Sequence, residues 1–221
     1  MKLSSEQKIF LLQIIFITSM ILANVIGIKI VNIGPVAASI GTILVPISFL
    51  ITDILSEVKG KKHVYNLVWF TVVALVFSYL FIQLSVIMAP ADRFAETNSA
   101  FVTIFSGSAR IFLASIVAFL ISQFHDLWAF EFWKAKTKGR FLWLRNNLST
   151  MVSQAIDTVI FMFLAFYQLT PQFDAAYVWE LTIPYYILKI ILAFLDTPFV
   201  YLGVKWLRPQ PGLESNEKKH A

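Results

Sequence analysis

Residues 108–127 read SARIFLASIVAFLISQFHDL, and residues 148–169 read LSTMVSQAIDTVIFMFLAFYQL. Each stretch supplies the roughly 20 apolar residues that a helix needs to cross a hydrocarbon layer about 30 Å thick. Each also carries one polar pattern, Ser-Gln-x-x-Asp: SQFHD at 122–126 and SQAID at 153–157. An amide and a carboxylate in such a setting are costly unless protein partners or a wet cavity receive them. Two things follow from these stretches: the helices face lipid, and their polar groups face something else.

Composition supports the first. Of 221 residues 58% are hydrophobic and 14% charged, with a mean hydropathy of +0.73, which is more apolar surface than a soluble domain of this size can bury. Four further segments reach membrane-crossing length, giving six spans: Ile9–Ile28, Pro35–Ser56, Val64–Met88, Ser108–Leu127, Leu148–Leu169 and Leu181–Trp206. The expected fold is all-α, a polytopic bundle of six transmembrane helices over residues 1–208. Residues 209–221 follow as a polar tail containing Pro and Gly that reads as disordered. Lys2 and Lys8 precede the first span as they would in a signal peptide, but no small-residue cleavage pattern follows, so the span is read as a helix. Cysteine is absent, which excludes disulfides, thiolate metal sites and thiol nucleophiles.

Basic residues set the orientation. Lys59, Lys61 and Lys62 follow the second span; Lys134, Lys136, Lys138, Arg140 and Arg145 follow the fourth; Lys205, Arg208, Lys218 and Lys219 follow the sixth. The alternate connections are poor in cations, so these three ends are expected in the cytoplasm, with both termini inside. A net charge of +5 spread over loops in this way suits contact with anionic lipid rather than with nucleic acid.

Ionisable groups inside the spans are the candidates for function, because each costs roughly 2.5–3.5 kcal/mol on insertion scales. Asn147, Thr150, Gln154 and Asp157 recur at spacings of three and four and share one helix face. Asp157 lies about 15 Å in, near the midplane, and Lys189 of the sixth span reaches a matching depth. Asp157, Gln154 and Lys189 are therefore expected at a substrate site, with Gln123 beside them and Asn24 and Arg110 nearer the outer entrance. Asp53, Glu57, Asp126, Arg145 and Asp196 lie closer to the basic ends and are expected to form an inner gate or ion-pair network. Ser108, Ser115 and Ser122 repeat every seven residues as a small-residue stripe suited to close helix contact, or to a homodimer. The two Ser-Gln-x-x-Asp copies lie on antiparallel spans with dissimilar flanks and are read as independent polar faces. His63 and His125 lack a partner at metal-ligand spacing, so no metal and no cofactor is expected.

Four stretches carry a resemblance: ANVIGIKIV at 23–31, VPISFLITDILSEVKGKK at 45–62, ARIFLASIVAFLISQFHDLWAFEFWK at 109–134 and LWLRNNLSTMVSQAIDTVIF at 142–161. Together with DTPFVY at 196–201 they resemble the queuosine precursor transporter family, six-helix bacterial inner-membrane proteins also described as vitamin-uptake-like. The pattern departs at Lys59, where a Tyr is expected. The resemblance implies uptake of 7-cyano-7-deazaguanine or a related 7-deazaguanine. The chemistry suits an intramembrane carboxylate, since a guanine-like base presents a ring N–H and an exocyclic amine side by side, and one carboxylate accepts both. No Walker A pattern occurs, so an ATPase that powered uptake would be a separate chain. Two other classes stand beside this one. An intramembrane aspartyl protease using Asp126 and Asp157 lacks the Gly-x-Gly-Asp context, and an assembly subunit without ligand leaves Asp157 and Lys189 no role beyond pairing.

Overall fold

A computed structural model describes residues 3–34 and 36–208. Six helical segments in it are long and apolar enough to cross a membrane, the second counted from a 3-10 turn at Ile40 to Lys59; the α-helices are α1 Ser5–Val25, α2 Val45–Lys59, α3 Lys61–Ile87, α4 Ala95–Lys136, α5 Leu142–Phe166 and α6 Ala175–Leu207. Pro35, the expected start of the second span, and the tail 209–221 lie outside the described residues.

The boundaries follow from local chemistry. Ser4 and Gln7 form a reciprocal capping box at the start of α1, and Asp174 accepts from the Tyr177 N–H to cap α6, each satisfying N–H groups that a helix leaves unbonded at its first turn. Gly60, at φ +84, reverses the chain between α2 and α3 in a single residue, a backbone region open chiefly to glycine. The fourth span proves longer than its apolar run suggests. With 42 residues α4 is about 63 Å long at 1.5 Å per residue, because polar residues such as Glu96, Asn98 and Lys134 continue the helix past the lipid-like segment.

Residues 30–39 depart from the all-helical expectation. Strands β1 (Ile30–Ile33) and β2 (Val36–Ser39) pair antiparallel with Ile30 opposite Ser39 and Ile33 opposite Val36. The chain turns at Gly34, φ +61, and β-branched Ile30, Val31, Ile33 and Val36 favour the extended form. A short 3-10 turn, Ile40–Ile43, then leads into α2. The helical second span therefore begins at Ile40, about five residues later than its hydropathy suggests.

Helix α2 occupies the centre and packs against α1, α3 and α6, while α4 packs on α3 and α5, and α5 on α6. Its Ile51, Ile54 and Leu55 meet Phe16, Leu67, Val68, Phe119 and Val200 in the largest apolar cluster. The outer faces stay apolar: Phe70, Val73, Phe77, Leu80 and Phe81 of α3, and Ile187, Ile191, Phe194, Leu195 and Leu202 of α6, are exposed. Such a belt belongs against lipid. Lipid tails are as apolar as leucine, so close packing and interhelical hydrogen bonds must hold the bundle together. Several such bonds cross it: Gln123 Nε2 donates to Thr52 Oγ1 at 3.0 Å, Asn147 Nδ2 to Thr197 Oγ1 at 3.1 Å, and Tyr186 Oη to the Met151 carbonyl at 3.1 Å. Each is worth on average about 0.6 kcal/mol in a membrane.

Candidate functional site

A cavity opens between α1, the hairpin end of α2, and the middles of α4, α5 and α6. Its walls include Asn24, Ser39, Thr42, Phe49, Ser115, Phe119, Asp157, Phe161, Tyr185 and Lys189, it is open on one side, and its free space measured to the centre of a water-sized sphere is about 60 Å³. That is less than the roughly 300–1,000 Å³ of small-molecule sites, so a base-sized ligand needs the walls to part. Two glycines permit its shape: a Cβ on Gly27 or Gly41 would meet the Ala23 carbonyl oxygen at 2.3 or 2.5 Å. The chain entering and leaving the hairpin thus lies directly on the last turn of α1.

Four aromatic rings and a buried ion pair give the cavity its character. Lys189 Nζ donates to Asp157 Oδ2 at 2.7 Å, with Lys189 2% and Asp157 14% exposed. The ammonium also lies 4.9 Å from the Tyr185 ring centre, a cation–π contact. Tyr185 Oη bonds Thr42 Oγ1 at 2.6 Å, tying α6 to the turn ahead of α2. Ser122 Oγ donates to the other carboxylate oxygen, Asp157 Oδ1, at 3.2 Å. An ion pair so placed is costly to break from one side, about 3–5 kcal/mol, because the surviving charge has no water to turn to.

The Ser122 contact corrects the reading of the two Ser-Gln-x-x-Asp segments as independent. Helices α4 and α5 run antiparallel side by side, so the first residue of each copy meets the last of the other. Ser122 bonds Asp157, and Asp126 lies beside Ser153, with Ser149 one turn further. Such reciprocity follows from antiparallel pairing of two equal spacings; dissimilar flanking residues concealed it in the sequence.

Of the remaining residues expected at a substrate site, Asn24 also borders this cavity, while its Nδ2 donates to the Met20 carbonyl at 2.9 Å, and the others sit elsewhere. Gln123 points to Thr52. Gln154 faces a second, smaller cavity, because one helical turn at 100° per residue carries it round from Asp157 by about 60°. Arg110 caps the far end of α5, donating from Nε to the Leu164 carbonyl at 2.8 Å and from Nη2 to the Tyr167 carbonyl at 2.6 Å. Thr42, Ser39, Phe161 and Tyr185 had no sequence signal as site residues, since apolar stretches are full of such side chains and only the tertiary fold collects them.

At the opposite end of α2, where the basic segments gather, Glu57 holds three helices. Its Oε2 accepts from Arg145 Nη1 at 3.1 Å and pairs with Lys134 Nζ at 3.3 Å, and its Oε1 pairs with Arg208 Nη2 at 3.5 Å. Arg145 is 1% exposed and Arg208 62%, so the Arg145 bond carries most of the clasp. The guanidinium also lies over the Phe130 ring at 5.3 Å. Asp53, Asp126 and Asp196 stand deeper, the first two buried to 2% and 1% exposure. None of the three joins an ion pair among the described residues. Of the residues expected in an inner gate or ion-pair network, Glu57 and Arg145 are thus bonded to each other, while the three aspartates form a separate layer above them.

Comparison with known proteins shows the family. Residues 39–203 match the family described as "Putative vitamin uptake transporter". A Bacillus subtilis (strain 168) protein named "Probable queuosine precursor transporter" is 30% identical over 187 residues, 84% of this chain and 80% of that relative. No solved structure matches the chain.

Proposed function

Because the chain belongs to the vitamin uptake transporter family, we propose that it imports a queuosine precursor, 7-cyano-7-deazaguanine or a close 7-deazaguanine, across a bacterial inner membrane. The observation that carries this reading is the central cavity, where an Asp157–Lys189 pair lies among the rings of Phe49, Phe119, Phe161 and Tyr185. A planar base needs apolar faces above and below it and a polar edge partner, and the cavity offers both. The Asp157 carboxylate accepts the ring N–H and exocyclic amine of a guanine-like edge, and the Lys189 ammonium then donates to the base carbonyl. Ser122 holds the carboxylate in place, and Asn24, Ser39 and Thr42 offer further polar contacts at the hairpin end.

In this reading the hairpin end faces outward, and the Glu57 clasp with its basic surroundings faces the cytoplasm, as the distribution of Lys and Arg favours. Substrate enters beside the hairpin and leaves past the aspartate layer once the clasp parts. The test is uptake by the purified protein in proteoliposomes. Saturable accumulation of 7-cyano-7-deazaguanine, competed by the aminomethyl analogue and not by adenine, is expected. A protein that folds and binds nothing of this class overturns the reading.

A further inference from the structure

The second cavity lies towards the clasp, separated from the first by Phe49, whose ring borders both. It is lined by Asp53, Asn146, Thr150, Gln154 and Asp196, with Pro46, Leu50, Ala193 and Val200 closing the apolar side. Its free space is about 10 Å³ measured to the centre of a water-sized sphere, enough for one such body. Three of its residues carry a buried side-chain oxygen with no hydrogen-bond partner: Asn146 Oδ1, Thr150 Oγ1 and Gln154 Oε1. All three residues are at least 97% buried. Asp53 and Asp196 likewise have neither a hydrogen bond nor an ion pair among the described residues. Orphaned buried acceptors are rare, and a cluster of them around one small space calls for a donor or a cation there.

Charge points the same way. Two carboxylates, Asp53 and Asp196, face this space, and neither is paired with a cation among the described residues. We propose that the second cavity is a sodium site, in which one dehydrated monovalent cation is held by the Asp53 and Asp196 carboxylates and by oxygens of Asn146, Thr150 and Gln154. A hard cation takes several oxygens at once, which a single proton on one aspartate cannot do. Magnesium fits less well, since it keeps several waters, for which there is no room. Histidine spacing, from which no metal was expected, is blind to a donor set made only of oxygens.

The site goes beyond the substrate reading and is tested without substrate. Full-length protein in detergent is titrated with radioactive sodium in choline chloride, with unlabelled NaCl, KCl and choline chloride as competitors. One saturable site is expected, displaced by NaCl at concentrations at least tenfold lower than KCl and not by choline. Asp196→Asn and Thr150→Val, the second nearly isosteric, should each weaken binding at least tenfold, whereas Asp174→Asn leaves it unchanged. The melting temperature of the unaltered protein should also rise in NaCl over choline chloride of equal ionic strength, which needs no variant to fold. No sodium-specific binding or melting shift means that water alone fills the cavity, and full binding by folded Thr150→Val places the ion elsewhere; either result overturns the proposal.

Discussion

Asp157 and Lys189 were legible in the sequence because depth can be counted along a helix, and two opposite charges at one depth in lipid must find each other. Their 2.7 Å contact is the result. Ser122 and Tyr185 were not legible, since a serine or tyrosine costs little wherever a helix places it and only packing shows what it touches. The pair makes a stability prediction. Asp157→Asn leaves the Lys189 ammonium buried without its partner and should destabilise the protein by about 3–5 kcal/mol. Asp157→Asn combined with Lys189→Met removes both charges and should recover most of that loss. Melting curves of the two singles and the double form the cycle; strictly additive losses would mean that the pair does not interact as its geometry implies.

Among elements, the helices were legible from apolar length and the hairpin was not. Residues 36–43 are apolar enough to extend the second span, yet they follow the turn at Gly34 and include Gly41, which presses against α1, and those local signals prevailed over hydropathy. The close contact is itself testable. A Cβ at position 41 would meet backbone, the Ala23 carbonyl oxygen, at 2.5 Å, so Gly41→Ala must displace the hairpin from α1 at a cost of about 1–3 kcal/mol. Because Gly41 borders the central cavity, ligand affinity should fall together with the melting temperature; unchanged affinity would place the ligand away from the hairpin. At the other end, Glu57→Gln removes the charge that Arg145, Lys134 and Arg208 share. It should lower the melting temperature and raise the protease sensitivity of the 137–141 connection, while ligand affinity at equilibrium stays within a factor of about three, less than 1 kcal/mol. A large loss of affinity instead would make the clasp part of the binding site.

For the whole molecule, six antiparallel spans place the α1 start, the α2–α3 turn, the α4–α5 connection and the α6 end together, as the Glu57 clasp and the 2.8 Å bond from Lys8 Nζ to the Trp206 carbonyl record. Alternation of basic and neutral connections made that arrangement readable, though no sequence pattern told how two cavities divide the interior at Phe49. A reporter fused after Pro211 is expected to be active only in its cytoplasmic form, and periplasmic activity would invert the transport direction inferred from charge. The central claim is that Asp157 receives the edge of a deazaguanine. Titration calorimetry of 7-cyano-7-deazaguanine measures it directly, using unaltered protein, Asp157→Asn and, as a control, Asp174→Asn, whose amide can still cap α6. An unpaired donor edge costs about 1–3 kcal/mol, so Asp157→Asn should bind roughly ten- to hundredfold more weakly and Asp174→Asn as the unaltered protein does; equal affinity of all three, with each folded, would contradict the account.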